Sequence, residues 1–251
     1  MKNIRREIAI TGIDGSGKST VVDMVLAGGS EEETVLKMTR PLAIYEGGRK
    51  RPVMEWYGEA MDALHHRGDA MRIKPVITAV NGLNVIAQSR LIEPYLSRRL
   101  DPDVIWWARD MVVDPAVYAG FYIPELGKRS MEDCVRIFRA IAGPPCRLLF
   151  HLTVEPDTAV KRIRTRIAEQ TEDADREKWQ HIHETPEHLG MLAVRYAKAL
   201  ECVERMYGST VLTIATDNRD KAEVAEIVQD YAQHYLSGDS PTLATRSSFT
   251  Y

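Results

Sequence analysis

Apolar residues along this chain follow two rhythms: short unbroken runs, and longer stretches in which they return every three or four positions. Glu7–Ile13 is short, β-branched and apolar, the composition of a parallel strand buried on both faces. Thr34–Met38, Asp103–Trp107, Cys146–Val154 and Thr210–Ala215 have the same character. Between them, helical spacing follows Lys18 and then covers Val53–His66, Lys74–Arg99, Asp114–Tyr122 and Ser130–Ala142. It returns from Glu155 to Ile167, with Pro156 in the first turn, and again over Leu189–Tyr207 and Lys221–Tyr235. Strands alternating with helices predict an α/β fold of three layers, a five-stranded parallel sheet with helices on both faces. Ala43–Pro52 carries Gly47-Gly48 beside Arg40, Arg49, Lys50 and Arg51 and reads as a mobile basic loop. With no internal repeat or linker, residues 1–236 are expected to form one domain, and 237–251, poor in apolar residues, a disordered tail.

Composition narrows the functional classes. The chain has 251 residues, 44% of them hydrophobic and 27% charged, with a net charge of −3, so no global basic field draws it to nucleic acid or anionic membrane. A local basic groove stays open, and with it a nucleic-acid partner that the charge does not favour. Cys134, Cys146 and Cys202 are widely spaced and form no C-x-x-C pair, which fits reduced thiols and a cytoplasmic location. No run has the length of a membrane span, and the apolar stretch after the basic first residues is too short for a signal peptide and reads as a strand. His65-His66 and the group His181, His183 and His188 lack a coherent metal-ligand pattern. Trp106-Trp107, inside a strand run, are expected in the core, whereas Trp56 and Tyr57 are placed to line a pocket.

The densest chemical signal is Gly12, Ile13, Asp14, Gly15, Ser16, Gly17, Lys18, Ser19 and Thr20, between the first strand and the first helix. Gly12, Gly17, Lys18 and Ser19 match G-x-x-x-x-G-K-S/T, the phosphate-binding loop of nucleoside-triphosphate enzymes. Glycines let successive amides converge on phosphate oxygens, and the following helix adds its free N–H groups and positive dipole end. Lys18 would reach the β/γ-phosphates of ATP, and the Ser19 hydroxyl would ligate Mg²⁺. A GTPase would need a guanine-specifying Asn-Lys-x-Asp, which is missing. A motor ATPase would place acids after the third strand, where Ala108-Arg109-Asp110 stands instead.

This loop resembles that of the thymidylate kinase family, and other segments follow in that family's order. Thr39-Arg40-Pro41, Ile92–Leu96, Ala108-Arg109-Asp110, Val154-Glu155-Pro156 with Arg162, Arg164 and Arg166, and Thr213–Asp217 carry the likeness. The resemblance implies ATP-dependent transfer to a (deoxy)nucleoside monophosphate, with Asp14 accepting a hydrogen bond from the acceptor sugar and Arg40 and Arg109 clamping its phosphate. It also implies a lid over about 160–187 and a homodimer through the long helices. Arg162 and Arg166, four apart on one helix face, are the catalytic candidates of that lid, and Arg164 is assigned to cofactor binding. Ser16 stands where one branch of the family has an arginine, so this chain matches the bacterial-type branch with lid arginines.

The acceptor side departs from the family. Its thymine-reading Asp-Arg pair is replaced by Leu83-Asn84; Asn84 has amide groups for a pyrimidine edge, and Arg90 on the same helix is a second candidate. Ala108 replaces an Asp, which leaves Asp103, Asp110 or Asp114 to assist Mg²⁺, with Asp110 the first candidate beside Ser19. These departures keep open a modified nucleotide, a nucleoside or a pyrimidine within DNA as acceptor, the last supported by Arg49-Lys50-Arg51. A nucleotide-binding regulator that hydrolyses ATP slowly is the reading from another class.

Overall fold

The computed structural model describes residues 6–30, 32–38, 42–71, 74–170 and 184–238. Its strands are β1 (Arg6–Thr11), β2 (Thr34–Lys37), β3 (Ala43–Glu46), β4 (Arg49–Pro52), β5 (Val104–Trp107), β6 (Leu148–Thr153) and β7 (Thr210–Ala215). They form one sheet in the order β4-β3-β2-β5-β1-β6-β7. Each expected strand is present, and the five run parallel to one another.

The sheet nevertheless has seven strands and is mixed, because β3 and β4 add an antiparallel hairpin at its edge. The expected mobile loop over Ala43–Pro52 is therefore a hairpin. Gly47 and Gly48 have φ of 55° and 71°, the positive pair that a two-residue type I′ turn requires. Arg49–Pro52 is exposed throughout and has no apolar alternation, which hid it as a strand. Charge and proline on an edge strand also block pairing with another chain. Asp23 fastens the hairpin to the first helix, taking Lys37 Nζ at 2.6 Å and Tyr45 OH at 2.8 Å.

The helices are α1 (Lys18–Ala27), α2 (Glu55–Met71), α3 (Lys74–Ala87), α4 (Glu93–Leu100), α5 (Val113–Tyr122), α6 (Pro124–Gly127), α7 (Met131–Ala142), α8 (Pro156–Gln170), α9 (Pro186–Tyr207) and α10 (Lys221–Ser237). The expected long helix is α3 and α4 joined by a π turn, Gln88–Ile92. Successive strand residues point to opposite faces and fill two cores. Ile8, Ile10, Trp106 and Phe150 pack under α1 and α10, whereas Ala9, Ile105, Trp107 and Leu149 pack under the helices of the other layer. Trp106 and Trp107 are thus both core residues, one to each face.

The chain leaves β1 toward β2 on one side and later places β6 on the other. The strand order therefore reverses at β1, and the crevice beyond its carboxyl end is where ligands bind in such sheets. The glycine loop begins there. Among the described residues no helix is long and apolar enough to cross a membrane. The three cysteines are buried and unpaired.

Candidate active site

The loop sits between the end of β6 and the start of α8. A Cβ on Gly15 would lie 2.7 Å from the Ala159 carbonyl of α8, so only glycine lets the loop pack this closely. Lys18 is 6% exposed, and its Nζ donates to the Gly12 and Ile13 carbonyls at 2.8 and 2.7 Å. Burial lowers its pKa to about 8 against the opposing pull of Asp14, and Arg109 and Arg166 push in the same direction as burial. Gly17 caps α1 without a side-chain hydrogen bond, and Ser19 and Thr20 are exposed in its first turn. The Ser16 hydroxyl is buried with no partner among the described residues. A helix start without a side-chain cap, a buried ammonium and an orphan hydroxyl together fit a polyphosphate.

Asp14 links this loop to the far side of the cleft. Its Oδ1 accepts from Arg109 Nη2 at 2.8 Å and its Oδ2 from Tyr118 OH at 3.0 Å. Lys18 Nζ lies 3.8 Å from the same Oδ1. The Arg109 guanidinium lies over the Tyr118 ring, 5.4 Å from its centroid, and reaches Asp114 with its other edge at 3.6 Å. Burial and the neighbouring Asp14 carboxylate push the Tyr118 phenol well above its ordinary value, which keeps it a hydrogen-bond donor. Tyr118 stacks on Tyr122 at 6.3 Å, and both belong to the helix face that carries Asp114.

Beside the glycine loop, α8 carries Arg162 and Arg166 one turn apart. Arg162 donates from Nη2 to the Thr216 carbonyl at 2.7 Å, and from Nη1 to Thr216 Oγ1 at 3.0 Å and the Gly15 carbonyl at 3.4 Å. It therefore joins the glycine loop to the segment after β7. Arg166, one turn on, is exposed and close enough for its charge to act on Lys18, whereas Arg164 is exposed on another part of the helix. Residues 171–183 of the expected lid lie outside the described residues, as does Arg40.

Two assignments change. Asp110 is fully buried and its carboxylate is occupied by the amides of Val112, Val113 and Cys146, so it starts α5 and anchors the approach to β6. Burial raises its pKa while those amides oppose the rise. No oxygen of this carboxylate is left for a metal. Asp103, the other end-of-strand candidate, accepts from the Thr34 amide where β2 and β5 begin, at the sheet end opposite the loop. Arg90 donates from Nε to the Ile141 carbonyl at 2.7 Å and from Nη2 to Ala140 at 3.3 Å. It caps the negative end of α7, which engages both its Nε and its Nη2. Asn84 Oδ1 accepts from the OH of Tyr57, a residue buried in the core. Among the described residues no group of His, Cys, Asp and Glu could hold a metal ion.

Sequence reading missed Tyr118 and Tyr196, although Asp114, Tyr118 and Tyr122 at four-residue spacing on one helix were a usable signal.

Neither a protein-family model nor a curated protein sequence matches the chain. Two solved structures are similar to it. Deoxyadenosine kinase from M. mycoides, solved with dCMP and a flexible dCDP bound, aligns over 90% of this chain and 98% of its own, with a TM-score of 0.55 and 16% identity. Thymidylate kinase from Candida albicans aligns over 92% of each chain, with a TM-score of 0.55 and 12% identity. The chain shares the overall fold of these two proteins. At such identities the likeness is one of architecture, and chemistry has to be argued from the side chains.

Proposed function

We propose that this protein is an ATP-dependent kinase that phosphorylates a (deoxy)nucleoside monophosphate, as a thymidylate-kinase-like enzyme would. The observation that carries the proposal is the sequence of charges across the cleft, Lys18, then Asp14 at 3.8 Å, then Arg109 at 2.8 Å from Asp14. The lysine of the glycine loop and a guanidinium from beyond β5 thus meet at one carboxylate oxygen. One fold neighbour is named a deoxyadenosine kinase and the other a thymidylate kinase, which supports phosphoryl transfer to a nucleoside or a nucleotide, and the Arg109 guanidinium favours an acceptor that carries a phosphate.

ATP with Mg²⁺ supplies the phosphoryl group and neutralises part of its charge. The loop amides, Lys18 and the Ser16 hydroxyl would hold the phosphates, and Ser19 would ligate the metal, whose other positions the phosphates and water must fill. Asp14 would orient the acceptor hydroxyl, and Arg109, with Arg40, would hold the acceptor phosphate. Arg166 is the lid arginine free to meet developing charge, with Arg162 holding the loop's shape and Arg164 at the nucleotide's outer edge. Asn84 and Tyr57 would border the base.

A homodimer and a cytoplasmic site of action belong to the same reading. Leu83, Leu91 and Tyr95 are 66%, 69% and 51% exposed along the long helix, an apolar strip that a second copy would cover. The deciding experiment measures ADP release with a panel of nucleoside monophosphates and nucleosides. Transfer to at least one monophosphate is expected. ADP release that no acceptor stimulates would overturn the proposal.

A further inference from the structure

Asp114 is 3% exposed at the start of α5, and its contacts run to three different parts of the site. Its Oδ2 accepts from Thr11 Oγ1 at 2.7 Å, the residue immediately before the glycine loop, and from the Asp110 amide at 2.8 Å. Its Oδ1 accepts at 2.7 Å from Tyr196 OH on α9, the helix that follows the expected lid, and Arg109 Nη1 lies 3.6 Å from that oxygen. Removing a carboxylate from water is expensive unless cations and donors replace the lost hydration. Here Arg109 is the cation in contact, and its side chain remains 44% exposed at the outer edge.

A guanidinium held at one edge can sweep through several rotamers, whereas one held at both edges presents a fixed fork to an anion. Asp14 holds the Nη2 edge and Asp114 the Nη1 edge. We propose that Asp114 is a positioning residue for the acceptor: it fixes Arg109 and ties that setting to Thr11 beneath the loop and to Tyr196 on α9. The inference rests on the kinase reading above. The competing role is structural, in which Asp114 only steadies α5 through the Asp110 amide.

Asp114→Asn is nearly isosteric. It can keep the bonds from Thr11 and Asp110 by leaving its oxygen on their side, while its NH₂ donates to Tyr196 and no longer attracts Arg109. Kinetics with ATP and the monophosphate found by the acceptor panel provide the test. Asp114→Asn is expected to raise the acceptor KM about tenfold and to move the ATP KM less than about twofold, a coupling of ordinary size for neighbouring charges. In an Arg109→Ala background the same change should add less than about twofold, because the group it acts through is gone. Tyr196→Phe, which removes one hydroxyl, should act in the same direction, more weakly, and should likewise lose its effect when Arg109 is absent; it decides the matter if Asp114→Asn fails to fold. Effects that multiply fully with Arg109→Ala, or that fall equally on ATP and acceptor, would overturn the positioning role. If the wild-type protein transfers phosphate to no acceptor, the kinase reading itself fails, a result separate from either.

Discussion

The proposed donor half and the proposed acceptor half of the cleft are built in opposite ways. The donor half is nine consecutive residues, Gly12–Thr20, whose conformation is set by local glycines and by the helix they start. The proposed acceptor half draws on Asp14, Tyr57 on α2, Asn84 on α3, and Arg109, Asp114 and Tyr118 around the end of β5 and the start of α5. A contiguous site is readable as a motif because one stretch of backbone does the work. A dispersed site has no motif, and its members become visible only when the fold brings distant segments together.

The largest expected effect tests the donor half. Lys18→Ala should lower transfer by about 10³-fold or more, the scale of a preorganised charge at a phosphoryl transition state, without unfolding the protein. Near-normal turnover in a coupled assay would break the assignment. The wild-type lysine also gives a pH test. Its pKa in the folded protein is lowered to about 8, so above that pH the neutral amine accumulates and affinity for ATP should decline, starting near pH 8. For stability the sign is reversed: the unfolded chain keeps this proton up to about pH 10.5, so the cost of burying the charge is relieved between the two values.

Two arginines of α8 sharpen the same comparison. Arg162 is tied to Gly15 and Thr216, whereas Arg166 is exposed on the same helix face. Arg166→Ala should cost about 10²-fold in kcat with little change in melting temperature. Arg162→Ala should weaken ATP binding and lower stability by about 1–2 kcal/mol, the scale of lost charge-assisted hydrogen bonds. Equal kcat losses with unchanged melting temperatures would show that the two residues share one role.

How much was legible follows from where the forces act. The five parallel strands were readable because each carries its own apolar run, and the glycine loop because strand and helix flank it. The hairpin was not, since Arg49–Pro52 holds its place through backbone pairing and the Asp23 cluster and buries no apolar face of its own. Asp110 illustrates a deeper limit. An acid after a strand reads as a metal ligand, yet three backbone amides with no sequence signature already occupy it. Part of the charge of Arg49–Arg51 is likewise offset, with Arg51 3.3 Å from Glu46 and Lys50 3.7 Å from Asp23.

Beneath both halves lies His151 on β6, paired in register with Thr11 and stacked on Tyr196 at 6.0 Å. Burial, with Lys18 nearby, lowers its pKa to about 4 from an ordinary 6.5. The folded state therefore resists a proton that the unfolded state accepts, so stability is lost as pH falls through that window, by up to about 3 kcal/mol in the acid limit. His151→Gln should flatten this part of the acid unfolding curve. An unchanged slope between pH 6.5 and 4 would mean that the imidazole is protonated in place.

The smallest expected effect separates the acceptor half from the helix that walls it. Arg90 was an acceptor candidate because it shares a helix with Asn84, but its guanidinium meets the last carbonyls of α7. A cation at a helix C-terminus contributes about 0.3–1 kcal/mol at an exposed position. Arg90→Ala should therefore lower stability by that amount and leave the acceptor KM unchanged, while Asn84→Ala should raise the acceptor KM with little effect on stability. The pair is informative because both residues lie on the same stretch of chain and only their contacts differ. If Arg90→Ala raised the acceptor KM as much as Asn84→Ala, the acceptor half would extend along the π turn toward α7, and its boundary would have to be redrawn around Arg90.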